Sequence, residues 1–240
     1  MNISISDLLV IVLIAVLIVV ITRKITQLIQ YLKDRKLLQT VTSIERGTCS
    51  ERELIVELLK LEISSSIIFH DLYIEKHKGS YSQIDIVVPT KVGILVFEVK
   101  DYSGWIFGQG CQTYWTQVLA YGTEKYRFYN PIKQNQRHIE VLRSKMKQFA
   151  DVPFYSIIVF YGNCELKDVS YIPEDTFIIY PNEISYTINN ILENKPKANY
   201  SNKRQVVHFL QNGVNNGNDY SITSRHIQNV SQIIDNEKIN

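Results

Sequence analysis

The chain has 240 residues, 45% hydrophobic and 21% charged, which suits one domain of ordinary size with appendages. Lys and Arg total 26 against 24 Asp and Glu, a formal charge of +2 with pI ≈ 8.3. No global field therefore selects a polyanion, and any such contact must come from a local basic groove. Cys49, Cys111 and Cys164 contain no CxxC, and the five histidines contain no HExxH or HxxxH. That pattern argues against a disulfide framework and a zinc site, and fits reduced thiols in a cytosolic compartment.

Residues 8–21, LLVIVLIAVLIVVI, are unbroken apolar. With their flanks they reach about 20 residues, enough to cross a bilayer. No Lys or Arg precedes the run and no small-x-small site follows it, so a cleaved signal peptide fits poorly. The absence of a polar face disfavours a buried globular helix. Asp7 precedes the run, and Arg23, Lys24, Lys33, Arg35 and Lys36 follow it. The positive-inside rule then puts the bulk of the chain in the cytoplasm, tied to the cell membrane by a single pass. The division expected is an anchor at 1–22, a polar helical stalk at 23–44, an α/β domain at 45–181 and an ancillary Asn-rich region at 182–240. The stalk reads as a spacer, with a short coiled coil or lipid-surface helix as the alternative.

Residues 50–62 read as an amphipathic helix, with Ser50 as N-cap and Glu53 completing a capping box. Residues 67–75 alternate loosely and suggest a strand, followed by a turn around Gly79. Residues 82–89 and 92–99 are Val- and Ile-rich strands. The glycines and aromatics of 104–118 suggest a hairpin. Pro131 opens a helix to about Phe149, with Ile132, His138, Ile139, Leu142 and Met146 as its inner stripe. Residues 154–161 and 176–180 look like buried strands, and 182–193, 202–211 and 222–235 like helices. The order predicts a mixed α/β domain.

The chemistry concentrates in YSQIDIVVPTKVGILVFEVK, residues 81–100. Side chains alternate along a strand, so Glu98 and Lys100 share a face and Val99 takes the other. Acid-x-Lys alone says little, because Asp34, Glu165 and Glu193 also start such a pattern. The first lies in the stalk and the other two in polar, loop-like stretches. Glu98 to Lys100 alone ends an apolar strand beside another strand that bears Asp85. Singly, Asp85 reads as a solvent-facing strand residue and Glu98 with Lys100 as a surface ion pair of at most about 1 kcal/mol. Together, two converging carboxylates call for a cation. Asp85 and Glu98, with the Val99 carbonyl, would bind Mg²⁺ or Mn²⁺ through hard oxygens, and Lys100 would orient a water or neutralise charge on a phosphate. Glu51 would meet the metal shell or position Lys100, or simply complement its helix N-terminus. Gln134 would reach in from the first turn of the later helix, and Lys133, Arg137 and Arg143 would meet nucleic-acid phosphates or form a solvated face. Tyr114, Trp115 and Tyr121 are base-stacking candidates, with core or hairpin packing as the commoner alternative.

Set in order, these pieces resemble the NERD (nuclease-related) domain, a relative of the PD-(D/E)xK nucleases. They are Gly47 with Ser50 and Glu51, Gln83 and Asp85 in SQIDIVV, and Gly93, Glu98 and Lys100 in GILVFEVK. DYSG, Trp115, then Asn130, Pro131 and Gln134 in NPIKQ, then His138 and Leu142 follow. The resemblance runs from about Gly47 to Leu142. It implies a restriction-endonuclease-like core, a central mixed sheet flanked by helices, with Glu51, Asp85, Glu98, Lys100 and Gln134 as site positions. Where the family has Gly before the helix-start Glu, this chain has Ser50. The expected function is a membrane-anchored, Mg-dependent nuclease acting on DNA. A catalytically idle module that binds nucleic acid or protein, and a hydrolase of small phosphoesters, are the competing readings.

Overall fold

A computed structural model describes residues 5–149 and 151–239. The first element is one continuous helix, α1, Ile5–Leu38. Among the described residues it is the one helix long and apolar enough to cross a membrane, over Leu8–Leu38, and its most apolar section is not buried by the protein. The expected anchor and stalk are thus one helix. Its far end docks on the domain: Leu38 enters the core, and Asp34 pairs with Lys60 at 3.3 Å.

Helix α2, Cys49–Lys60, follows, and its cap differs from the expectation. Thr48, not Ser50, is the N-cap: its hydroxyl accepts from the Glu51 N–H and donates to Glu51 Oε1. Ser50 instead donates to Asp101 at 2.6 Å. Both Thr48-x-x-Glu51 and Ser50-x-x-Glu53 satisfy the capping pattern. Tertiary partners for Ser50 and Glu51 select the first.

The central sheet has the order β1 (Phe69–His77), β2 (Ser80–Pro89), β3 (Ile94–Asp101), β7 (Phe154–Tyr161), β9 (Thr176–Ile179). The first two pairings are antiparallel and the last two parallel. This is the mixed sheet expected of a restriction-endonuclease-like core. Its interior strand β7 is buried along its whole length, which explains its continuous apolar run. One face packs Ile86, Val88, Leu95, Phe97, Ile157 and Val159 on α2 and on α4, Ile184–Asn194. The other packs Val87, Ile94, Val96 and Phe154 on α3, Pro131–Lys145, and α5, Lys203–Asn216.

A second sheet has the order β6 (Glu124–Tyr129), β5 (Tyr114–Leu119), β4 (Gly104–Gln109), β8 (Cys164–Ser170), its first three strands lying between β3 and β7 in the chain and β8 following β7. The expected hairpin is therefore a three-stranded meander, joined in parallel by β8. Glu165, expected in a loop, lies on β8, and Glu193 lies in α4. Trp115 is fully buried and stacks on Phe160 across the two sheets, whereas Tyr121 is exposed.

The C-terminal region that composition set apart is packed on the domain through α4 and α5. Ile184, Ile188 and Ile191 of α4 and Val206 and Leu210 of α5 are core residues. The last helix, α6, Tyr220–Ile239, crosses beside β2.

Candidate active site

The β2–β3 ladder runs from Pro89↔Ile94 to Ile86↔Phe97 and goes no further. At the next position Asp85 accepts the Val99 N–H with its carboxylate, 2.7 Å, in place of a main-chain partner. β3 stays paired with β7 through Asp101, which fixes the pleat. Val99 packs toward the α2 face, so Glu98 and Lys100 both point toward α3, as the alternation predicted. Glu98 is 1% exposed, and its Oε1 sits 2.6 Å from Lys100 Nζ. Lys100 also donates to Gln134 Oε1 at 3.0 Å.

Gln134 reaches the ammonium because α3 begins where it does. Asn130 caps α3 by accepting from the Ile132 N–H, and Pro131 takes the first helical position. The Asn130 amide shares its N–H groups among the carbonyls of Gln109, Gly110 and Gln112 at 2.7–3.1 Å. One fully buried side chain thus locks the β4–β5 turn to the start of the helix that carries Gln134.

Glu51, Asp85, Glu98, Lys100 and Gln134 line one cleft of about 500 Å³. A larger cavity of about 610 Å³ lies between α1 and α2, away from this chemistry. Arg137 borders the cleft and lays its guanidinium 4.9 Å over the Tyr129 ring. Lys133 is half-buried on α3 outside the lining, and Arg143 lies over the Phe154 ring, also outside it.

Two histidines stand behind the carboxylates. The His138 ring approaches Glu98 Oε2 with Nε2, 3.3 Å, without hydrogen-bond alignment, and its Nδ1 pairs with the Ser82 hydroxyl at 2.8 Å. His70, 2% exposed, pairs Nε2 with Glu51 Oε2 at 2.9 Å and Nδ1 with Thr42 at 2.9 Å. Gly47, at φ +67°, closes over this second pair, and a Cβ there would strike Glu51 Oε2 and His70 Nε2. The sequence showed His138 as a helix-stripe residue and as one piece of the family resemblance, without a site role, and gave no sign of His70's role. Its partners lie 19 and 28 residues away, and no local pattern joins them. Lys76, Tyr81, His226 and Val230 also line the cleft without having been expected there.

The electrostatics separate the three acids. Burial raises the Asp85 carboxyl well above its usual range, and the charges of Glu98 and Glu51 raise it further against Lys100. Burial also opposes ionisation of Glu98, but Lys100 and His138 outweigh it and leave Glu98 lowered. Burial likewise opposes ionisation of Glu51, and the hydrogen bonds from His70 and Thr48 reverse it. Burial works against the Lys100 cation, yet Glu98 and Asp85 hold its pKa above normal. The floor of the cleft thus has more negative charge than one ammonium neutralises.

That floor suits a hard dication. Glu98 Oε2 is buried and has no hydrogen-bond partner. The available donors are carboxylate and carbonyl oxygens, the chemistry of Mg²⁺ or Mn²⁺. Among the described residues no three His, Cys, Asp or Glu side chains cluster as a metal-holding group.

The family model of the nuclease-related domain (NERD) matches residues 46–161, which span α2 through β7. An uncharacterized protein of Bacillus anthracis is 30% identical over 145 residues, covering 60% of this chain and 66% of that protein. The match thus falls just short of two thirds of the relative's length. No solved structure matches the chain.

Proposed function

Residues 46–161 belong to the nuclease-related domain family, and from that premise we propose that the chain is a membrane-anchored, metal-dependent nuclease hydrolysing DNA phosphodiester bonds. The observation that carries this reading is the convergence of Asp85, Glu98, Lys100 and Gln134 in one cleft, where Glu98 Oε2 makes no hydrogen bond and has only the His138 ring, 3.3 Å away, beside it. Asp85 and Glu98, with the Val99 carbonyl, are the groups to hold Mg²⁺ or Mn²⁺. When bound, the ion supplies Lewis-acid polarisation of a phosphoryl oxygen and a lowered pKa for a water.

The chain's own residues do the rest. Lys100, kept charged by its two carboxylate neighbours, donates to a phosphate oxygen or to the attacking water. Gln134 accepts from Lys100 and so fixes where the ammonium points. The Ser82 hydroxyl holds the His138 ring, which stands behind Glu98 Oε2 at 3.3 Å. Glu51, held by His70 and Thr48, adds negative charge to the field felt by Asp85. Arg137 and Lys76 stand at the rim for flanking phosphates. Lys133 and Arg143, on α3 outside the lining, would serve only a longer stretch of nucleic acid.

The apolar part of α1 would cross the cell membrane once. Arg23, Lys24, Lys33, Arg35 and Lys36 would then hold the α/β domain on the cytoplasmic side. The decisive experiment incubates the full chain, in nanodiscs, with plasmid DNA. Nicking should require Mg²⁺ or Mn²⁺ and stop with chelator. Lys100→Ala should abolish it while leaving the circular dichroism spectrum unchanged. Cleavage that survives both Asp85→Ala and Lys100→Ala removes this site from the reaction, and tight DNA binding without turnover points to an idle binding module.

A further inference from the structure

We infer that the cleft takes a single nucleic-acid strand and that α6 is the element that excludes a duplex. The inference deepens the proposed function and rests on the cleft being a phosphodiester site. α6 contributes His226 and Val230 to the same lining as Glu98 and Lys100, facing Arg137, His138 and Val141 of α3. The helix is pinned there: His226 sets its ring edge-on against Tyr73, centroids 5.4 Å apart, and Arg225 lies beside Gly79 in the β1–β2 turn. The reacting groups therefore lie between two helical walls rather than on an open sheet edge.

Depth turns that wall into a filter. Glu98 is 1% exposed and the Lys100 side chain 16% exposed, so a phosphate must descend to reach them. A flexible strand can feed one phosphate down, whereas a paired strand moves as part of a stiff rod. The volume agrees: about 500 Å³ lies in the range that encloses a ligand of roughly one or two nucleotides. The rim chemistry agrees as well. Tyr81 stands with Lys76 and Arg137, the last laid over the Tyr129 ring, and an aromatic face beside cations is how unpaired strands are held without reading their sequence. A net charge of +2 offers little to the two phosphate rows of a duplex.

The test measures binding and cleavage separately, on the full chain in nanodiscs. Fluorescence anisotropy without divalent metal should show a labelled oligonucleotide binding at least about tenfold more tightly as a single strand than as its duplex. His226→Ala with Val230→Ala should raise duplex affinity and shrink that ratio, and Val230→Trp should weaken single-strand binding. Equal affinities, a duplex preference, binding of neither form, or a ratio unmoved by both variants overturns the inference. Cleavage of the same two substrates with Mn²⁺ then tests the reaction. Absent turnover with an intact single-strand preference strikes the nuclease reading alone, and equal turnover of both strikes this one.

Discussion

Asp85→Asn should make the protein more stable and inactive. Asp85 is half-buried beside Glu98 and Glu51, and its carboxyl is pushed well above the ordinary range by desolvation and by those charges. The folded protein therefore holds the ionised form less well than the unfolded chain does. Asparagine keeps an oxygen to accept the Val99 N–H and deletes the charge. Relief of a strained functional site is typically worth about 0.5–2 kcal/mol. For a chain of this size that raises Tm by about 1–8 °C. The sign with pH follows from linkage: a carboxyl raised on folding contributes stability that is present below its unfolded pKa, about 3.9, and lost as pH rises toward the folded one. The advantage of Asp85→Asn should thus be small in acid and grow toward neutrality. Thermal unfolding of both proteins without divalent metal, from acid to neutral pH, reads this directly. Added Mg²⁺ should then stabilise the wild type and leave the variant unmoved, because only the wild type keeps both carboxylates. A variant less stable than wild type at neutral pH, or a difference flat in pH, would make Asp85 an ordinary paired carboxylate and refute the reasoning.

Three further substitutions probe the supports of the site. His70→Ala removes a hydrogen-bond partner from partly buried Glu51 and should cost about 1–3 kcal/mol in denaturant unfolding. That cost should shrink when Glu51 is also Ala, because the two side chains act as a pair. Gly47→Ala introduces a Cβ at φ +67° against Glu51 and His70, so it should lose more than about 1 kcal/mol and lower cleavage as well. Asn130→Ala deletes a cap worth about 0.5–2 kcal/mol and strips partners from buried carbonyls. Its melting curve should therefore fall at or beyond the upper end of that range, and disorder at the start of α3 should loosen Lys100 through Gln134.

What could be read in advance was whatever local periodicity encodes. Strands β2, β3 and β7 were legible because Val, Ile and Phe mark faces buried by this chain alone. The shared face of Glu98 and Lys100 followed from the pleat. Strands β6 and β8 were not legible, since EKYRFY and CELKDVS lie on a largely exposed sheet and carry no apolar run. The cap of α2 was ambiguous in principle: two Ser/Thr-x-x-Glu frames overlap, and only the distant partners Asp101 and His70 separate them. The C-terminal region was misweighted by its asparagines, although Ile184, Ile188 and Ile191 already formed a helical stripe. His226 and Val230 reach the cleft, and His70 reaches Glu51 behind it, through tertiary contacts that no spacing announces.

Helix α1 carries a mechanical consequence. Its 34 residues extend about 50 Å as one piece, while a bilayer core is only about 30 Å thick. The remainder ends in Leu38, seated in the core, and in the Asp34 contact with Lys60. Such a part acts as a ruler rather than a leash. With its apolar section in a lipid sheet, the cleft would sit at a set height and bearing above that sheet. It would then meet only those strands that pass within one narrow layer of the cell's edge.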